Sequence, residues 1–211
     1  MTIIAGYRFD QGVLFVADKM RVKITNSGAT QGTISNSTKK IRMVRPSIAI
    51  ATAGLGTLSD AAVMAIRNAI FDPTNQPEWT LDEVINCCQN HFRFLHQQFK
   101  RYNPYSYNQM FFTLGGVDPI CKKSFLYSFE SDLNFDKSEN QDLIVRGPSF
   151  EENFAKDIIQ QNLNQNEGLD HQIVGDIFSS AIKVVSKHSD SVGDSCLAVF
   201  VRDSNHLEAD L

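Results

Sequence analysis

Four residues in the first quarter of the chain have the types and order that nucleophilic catalysis needs: Thr2, Asp18, Lys40 and Gly54. If Met1 is removed, Thr2 carries its own nucleophile, the side-chain hydroxyl, and its own base, the terminal amine. The reference pKa of that amine, about 7.7–8.0, leaves a useful neutral fraction near pH 7. Such a centre also requires a cation to favour the alkoxide and the neutral amine, a carboxylate to orient the cation, and a backbone N–H for the oxyanion. Lys40, Asp18 and Gly54 supply those groups, each at an expected strand end. Each also has an ordinary reading: Asp18 as a turn residue, Lys40 with Lys39 as a solvated pair, Gly54 as a helix-entry glycine.

The elements that must bring these residues together follow from periodicity. "TIIAGYRF" and "VLFVAD" are β-rich and flank "DQG", which predicts a hairpin that Thr2 begins and Asp18 ends. Residues 19–38 are polar, a long loop or a weak hairpin extension. "KKIRMV" alternates, "RPS" turns, and "IAIATAG" is a strand buried on both faces. A helical stripe runs from Leu58 to Ile70, stopped by Asp72-Pro73, and a second helix opens with a Thr80/Glu83 capping box and reaches about Tyr102. Then come "MFFTLGGVD", "SFLYSFES" and "DLIVRG" as strands, helices over roughly 149–163 and 171–188, and "SCLAVFV" as a closing buried strand. Strands, two helices, strands, two helices and a strand make an α+β fold with antiparallel sheet, which can stack as helix, sheet, sheet, helix.

Composition narrows the function. The 211 residues suit a single domain, 1–211, and the net charge of −4 offers no basic surface for nucleic acid or membrane. Cys87, Cys88, Cys121 and Cys196 lack ligand spacing and a domain of this size needs no disulfides, so a reducing cytoplasm is expected. No stretch approaches roughly 18 uninterrupted apolar residues. Other motifs fail on context. "GLG" at Gly54–Gly56 has Ser59 at its third glycine position, and "GDSCL" lacks the second glycine of a nucleophile elbow and precedes a strand. His91 and His96, five residues apart, face different sides of a helix and suggest a structural role rather than a metal site.

The string "TIIAGYRFDQGVLFVADKMR … STKKIRMVRPSIAIATAGLGTLSD" resembles the N-terminal half of proteasome β-subunits and HslV peptidases, members of the N-terminal nucleophile (Ntn) hydrolases. The resemblance is specific over residues 2–60, looser to Gln141, and recovers in "LIVRGPSF" and "SDSVGDSCLAVFV". It implies a four-layer αββα sandwich and a threonine peptidase acting on polypeptide within a homo-oligomeric ring. Thr2 is then the nucleophile, Lys40 the cation, Asp18 its anchor and Gly54 the oxyanion donor, with Asp190 as a supporting carboxylate. Gly193 and Cys196 fall where the HslV pattern lies near a monovalent-cation site of backbone carbonyls.

Substrate would add as a strand beside residues 21–23 and 54–56, which names Arg21, with small Thr52 and Gly56 flanking a pocket. The family's Gly-Ser-Gly is "RGPS" here, with Arg146 or Gly147 at the serine position and Ser149 two or three places late as candidate support for the amine. The 19–38 loop is also longer than the family's. No cofactor is expected. The family's dependence on an ATP-dependent unfoldase does not carry over, because nothing in this chain recognisably binds ATP, and such an unfoldase stays open as a partner. Two rivals stay open: a non-catalytic ring or scaffold subunit, and an Ntn amidase acting on a small molecule.

Overall fold

A computed structural model describes residues 2–70 and 79–211. The chain is mixed α+β. Its opening hairpin pairs β1 (Ile4–Phe9) with β2 (Gly12–Asp18) across a tight turn at Asp10-Gln11, in the register Ile4↔Ala17 to Phe9↔Gly12. Every residue of β2 is buried, so its apolar run has no solvent face. The polar segment that follows folds as a hairpin of its own, β3 (Arg21–Ile24) and β4 (Thr30–Ser35), paired only to each other. Its tip rests on the loop after the second helix. Tyr107 N–H donates to Asn26 O at 2.6 Å, and the ring lies so close to Gly28 (φ +91°) that a Cβ there would fall 2.8 Å from it.

Next come β5 (Ile41–Arg45) and β6 (Ile48–Gly54), then α1 (Gly56–Ile70) and α2 (Leu81–Tyr102). The predicted stop of α1 at Asp72-Pro73 lies outside the described residues. The capping box of α2 forms as expected. Thr80 N–H donates to Glu83 Oε2 at 2.7 Å, and Glu83 N–H returns to Thr80 Oγ1 at 3.3 Å. Strands β7 (Met110–Val117) and β8 (Ser124–Glu130) complete an antiparallel sheet in the order β5-β6-β7-β8. After a 3-10 turn come β9 (Leu143–Arg146), α3 (Ser149–Gln165), α4 (His171–Ser186) and β10 (Cys196–Val201).

β10 does not close the chain. A further strand, β11 (His206–Asp210), pairs with it at the edge of the five-stranded sheet β11-β10-β2-β1-β9. All five of its residues are exposed, and although Leu207 and Ala209 alternate with polar neighbours, two apolar residues in five are too short a pattern to mark a strand in sequence.

Alternation along the strands sorts the core into three regions. Val44, Ile48, Ile50, Phe112 and Phe129 pack on α1 and α2, where Phe92 stacks on Phe112 with centroids 3.6 Å apart. Leu14, Val16, Val145 and Ala198 pack on α3 and α4 through Ile159, Val174, Phe178 and Ile182. Ile4, Val13, Phe15 and Ala17 meet Ile41, Ala49, Ala51 and Leu126 from the other sheet. A fully buried residue such as Phe92 contributes roughly 1.5–3 kcal/mol by leaving water, so each region is a substantial source of stability. Their joint effect is to hold the end of β2, the start of β5 and the end of β6 at one edge. Among the described residues, no helix is long and apolar enough to cross a membrane.

Candidate active site

The register of β1 on β2 sets Thr2 and Ile3 beside Asp18. Ile3 N–H donates to Asp18 Oδ1 at 2.9 Å, and Asp18 N–H returns to Ile3 O at 3.3 Å. The other carboxylate oxygen, Oδ2, accepts Lys40 Nζ at 2.9 Å, Met20 N–H at 3.2 Å and Gly193 N–H at 3.2 Å. Asp18 is therefore 0% exposed yet fully satisfied, the condition under which a buried carboxylate is tolerated.

Lys40 immediately precedes β5. Its carbonyl is clamped by Thr52, whose N–H donates at 2.9 Å and whose Oγ1 donates at 3.4 Å, while Nζ also donates to Met20 O. With only 6% of the residue exposed, burial pushes the Lys40 pKa below the usual lysine value of 10.5. The Asp18 carboxylate opposes that shift, and the nearby Arg21 charge adds to it.

Thr2, Lys40 and Gly54 line one cleft of about 40 Å³, with Arg21, Thr52 and Gly56 at its border. Roughly 10–15 Å³ suffices for a water, so the cleft holds water-sized groups and not a whole ligand. A cavity of about 450 Å³ lies elsewhere, between α4 and β11, but it contains no such lysine–aspartate pair. The chemistry of its lining, rather than its volume, singles out the smaller cleft.

Gly54 ends β6 at φ +89°, and a Cβ there would come 2.3 Å from Gln109 O, so only glycine fits. Thr52 N–H points at Lys40 O. By strand alternation the Gly54 N–H points to the same side, past the place where β5 begins. That N–H is a donor aimed at the cleft.

Arg21 does more than offer its backbone. Its guanidinium pairs with Asp60 of α1, which Arg42 also holds at 3.2 Å, so the β3–β4 hairpin is pinned to the helix that borders the cleft. The same guanidinium covers Gly56, where a Cβ would meet Nε at 3.3 Å.

Two expected residues stand apart. Asp190 is exposed and has no hydrogen bond to Thr2, Asp18 or Lys40. Its neighbours Ser189 and Ser191 donate to Glu151 Oε1 at 2.7 and 3.4 Å instead. Ser149 is exposed as the first residue of α3, and it is Gly147 that adjoins Thr2, close enough that a Cβ would lie 2.9 Å from Thr2 O. Gly193 contributes its N–H to Asp18. Cys196, opposite Asp18 in the β2–β10 register, is fully buried, and burial pushes its thiol up to about 12, so it is a neutral packing group.

No cluster of His, Cys, Asp and Glu suited to a metal ion occurs among the described residues. His91 Nδ1 lies 2.9 Å from Cys87 O and His96 Nε2 lies 3.0 Å from Asn108 O, structural contacts within and beyond α2. Met20, through both its N–H and its carbonyl, and the Thr52 clamp are the contributors that sequence reasoning did not find. Backbone groups have no residue-type signature, and Thr52 reads as a pocket residue until the strand register is known.

No protein-family model matches the chain, and no curated protein does.

Proposed function

We propose that the chain is a threonine-type peptidase of the Ntn-hydrolase kind, with Thr2 as its nucleophile once Met1 has been removed. The observation that carries the reading is the buried Lys40–Asp18 pair at 2.9 Å beside Thr2, in a cleft that Gly54 also lines. In the proposed reaction the Thr2 hydroxyl attacks a peptide carbonyl, passing its proton to the Thr2 amine directly or through a water. The Gly54 N–H receives the oxyanion, the leaving amine takes the proton, and water hydrolyses the resulting ester. Lys40 favours the deprotonated hydroxyl and the neutral amine, and Asp18 fixes Lys40.

The stacking of α1 and α2, the two sheets, and α3 and α4 agrees with a four-layer αββα arrangement. Exposed Met64, Phe94 and Tyr102 on α1 and α2 support assembly into a homo-oligomeric ring through that helix pair. Polypeptide is the proposed substrate, delivered by an ATP-dependent unfoldase in a cytoplasmic setting. A second reading, a non-catalytic ring subunit, draws support from the exposure of Asp190 and Ser149, which leaves the amine without those helpers.

The test is the intact mass of protein purified from cells, before and after treatment with an epoxyketone that captures N-terminal threonine. Loss of one methionine and a stoichiometric adduct on Thr2 are expected. Protein that retains Met1 and takes no adduct would favour the non-catalytic subunit.

A further inference from the structure

At the end of the sheets away from Thr2, the β5–β6 turn, the last turns of α1 and the β10–β11 turn border a cavity of about 490 Å³. Arg45, Arg67 and His206 line it together with Ser204 and Asn205, and Met43 and Pro46 give it an apolar side. Among the described residues no acidic one lines it. Of the described acids, Glu208 holds Lys39 at 2.7 Å and lies 3.7 Å from His206, and Asp203 holds Lys122 at 2.8 Å.

Arg45 is the unusual member. Arg8, Arg21, Arg42, Arg93 and Arg146 each face a carboxylate, whereas among the described residues the Arg45 guanidinium has no ion pair or hydrogen bond, and its Nη1 is closed off from solvent without an acceptor. A register break between Met43 and Arg45 interrupts the β5–β6 ladder here, the kind of irregularity that re-aims a side chain. The buried Nη1 is out of a ligand's reach, but Arg45 lines the cavity and its other guanidinium nitrogens are not closed off, and the planar fork on that edge matches the two oxygens of a carboxylate or phosphate. The Ser204 hydroxyl and Asn205 amide add donors, and Met43 and Pro46 suit a small apolar body.

We propose that this cavity binds a small organic anion, its carboxylate or phosphate paired with Arg45 and its apolar part against Met43 and Pro46. The site is separate from the Thr2 cleft and stands whether or not the chain is a peptidase.

Isothermal titration of the full chain with phenyl phosphate and with hippurate, using neutral hippuramide as control, tests it. At least one anion is expected to bind while hippuramide does not, and Arg45→Gln should weaken binding tenfold or more. Binding of phenyl phosphate alone assigns a phosphate ligand, and binding of hippurate alone assigns a carboxylate. Ser204→Asp, in an exposed turn, introduces a like charge at the rim and should also weaken binding at least tenfold, which keeps the test open if Arg45→Gln fails to fold. The proposal is overturned if neither anion binds, if hippuramide binds as well as hippurate, or if the folded variants bind like the wild type.

Discussion

Replacing Lys40 with methionine isolates what the buried pair contributes. The methionine keeps most of the side-chain volume, so the dominant change is electrostatic: Asp18, 0% exposed, loses its one cation at 2.9 Å and keeps only the N–H groups of Ile3, Met20 and Gly193. Removing one partner of a buried pair typically costs about 3–5 kcal/mol, because the remaining charge stays buried and uncompensated. For a chain of this size, each kcal/mol moves the thermal midpoint by roughly 2–4 °C, so a drop of roughly 6–20 °C is expected.

Asp18→Asn alone should also destabilise, since an amide nitrogen would face one of the backbone N–H donors. In the double variant no unpaired charge remains, so its cost should fall short of the sum of the single costs by about 2 kcal/mol or more, within the range seen for close charge pairs. Urea unfolding at pH 7, with two probes to check two-state behaviour, measures all four corners of the cycle. A cost below about 1 kcal/mol for Lys40→Met, together with additivity in the double variant, would show that the contact carries no charge interaction, and the proposed role of Lys40 would go with it. A buried ion pair can often be replaced by apolar groups without loss of stability, so stability alone does not require this pair, in keeping with the proposed role of Lys40.

Other outcomes follow from the same geometry. Gly54→Ala should destabilise by a few kcal/mol, combining a positive-φ penalty of about 1–3 kcal/mol with the clash on Gln109 O, and should abolish peptidase turnover; a wild-type thermal midpoint would contradict the strand-end geometry. Thr80→Ala removes the α2 capping box at a cost of about 1 kcal/mol and should leave turnover unchanged, as read by urea unfolding and peptide hydrolysis. Iodoacetamide on native protein at pH 8 should alkylate exposed Cys121 well before Cys88 and Cys196, whose burial raises their thiol pKa values; peptide mass mapping decides the order. Because burial holds the Lys40 pKa below 10.5, the unfolded chain binds more protons between the lowered value and 10.5. The Lys40 contribution therefore makes stability rise with pH through that window, while the cation itself is lost from the site. Turnover that depends on the cation should decline on the alkaline side before pH 10.5, and a pH–rate profile flat through that range would remove the charged Lys40 from the mechanism.

The strong local signals in the sequence are those that the folded chain also shows. The β1–β2 hairpin, the doubly buried run of β6, the capping box of α2 and the apolar stripe of α4 rest on periodicity and capping, which are properties of neighbouring residues. Thr2, Asp18, Lys40 and Gly54 each have an ordinary reading alone, and only their occurrence together and in order singled them out in sequence. Edge strand β11 was not legible, because its alternation spans only Leu207 and Ala209 and no buried face reinforces it, and the hairpin within 19–38 remained ambiguous because β4 is polar and mostly exposed.

Long-range register decided the rest. Pairing of β1 with β2 sets Ile3 N–H on one oxygen of Asp18. Three groups drawn from the residue before β5, the Met20 turn and the loop before β10 converge on the other, a coincidence that chain positions 20, 40 and 193 do not disclose. Tertiary packing likewise left Asp190 and Ser149 facing solvent, and it shut one nitrogen of Arg45 away from water, because which side chains reach a site depends on where distant elements end.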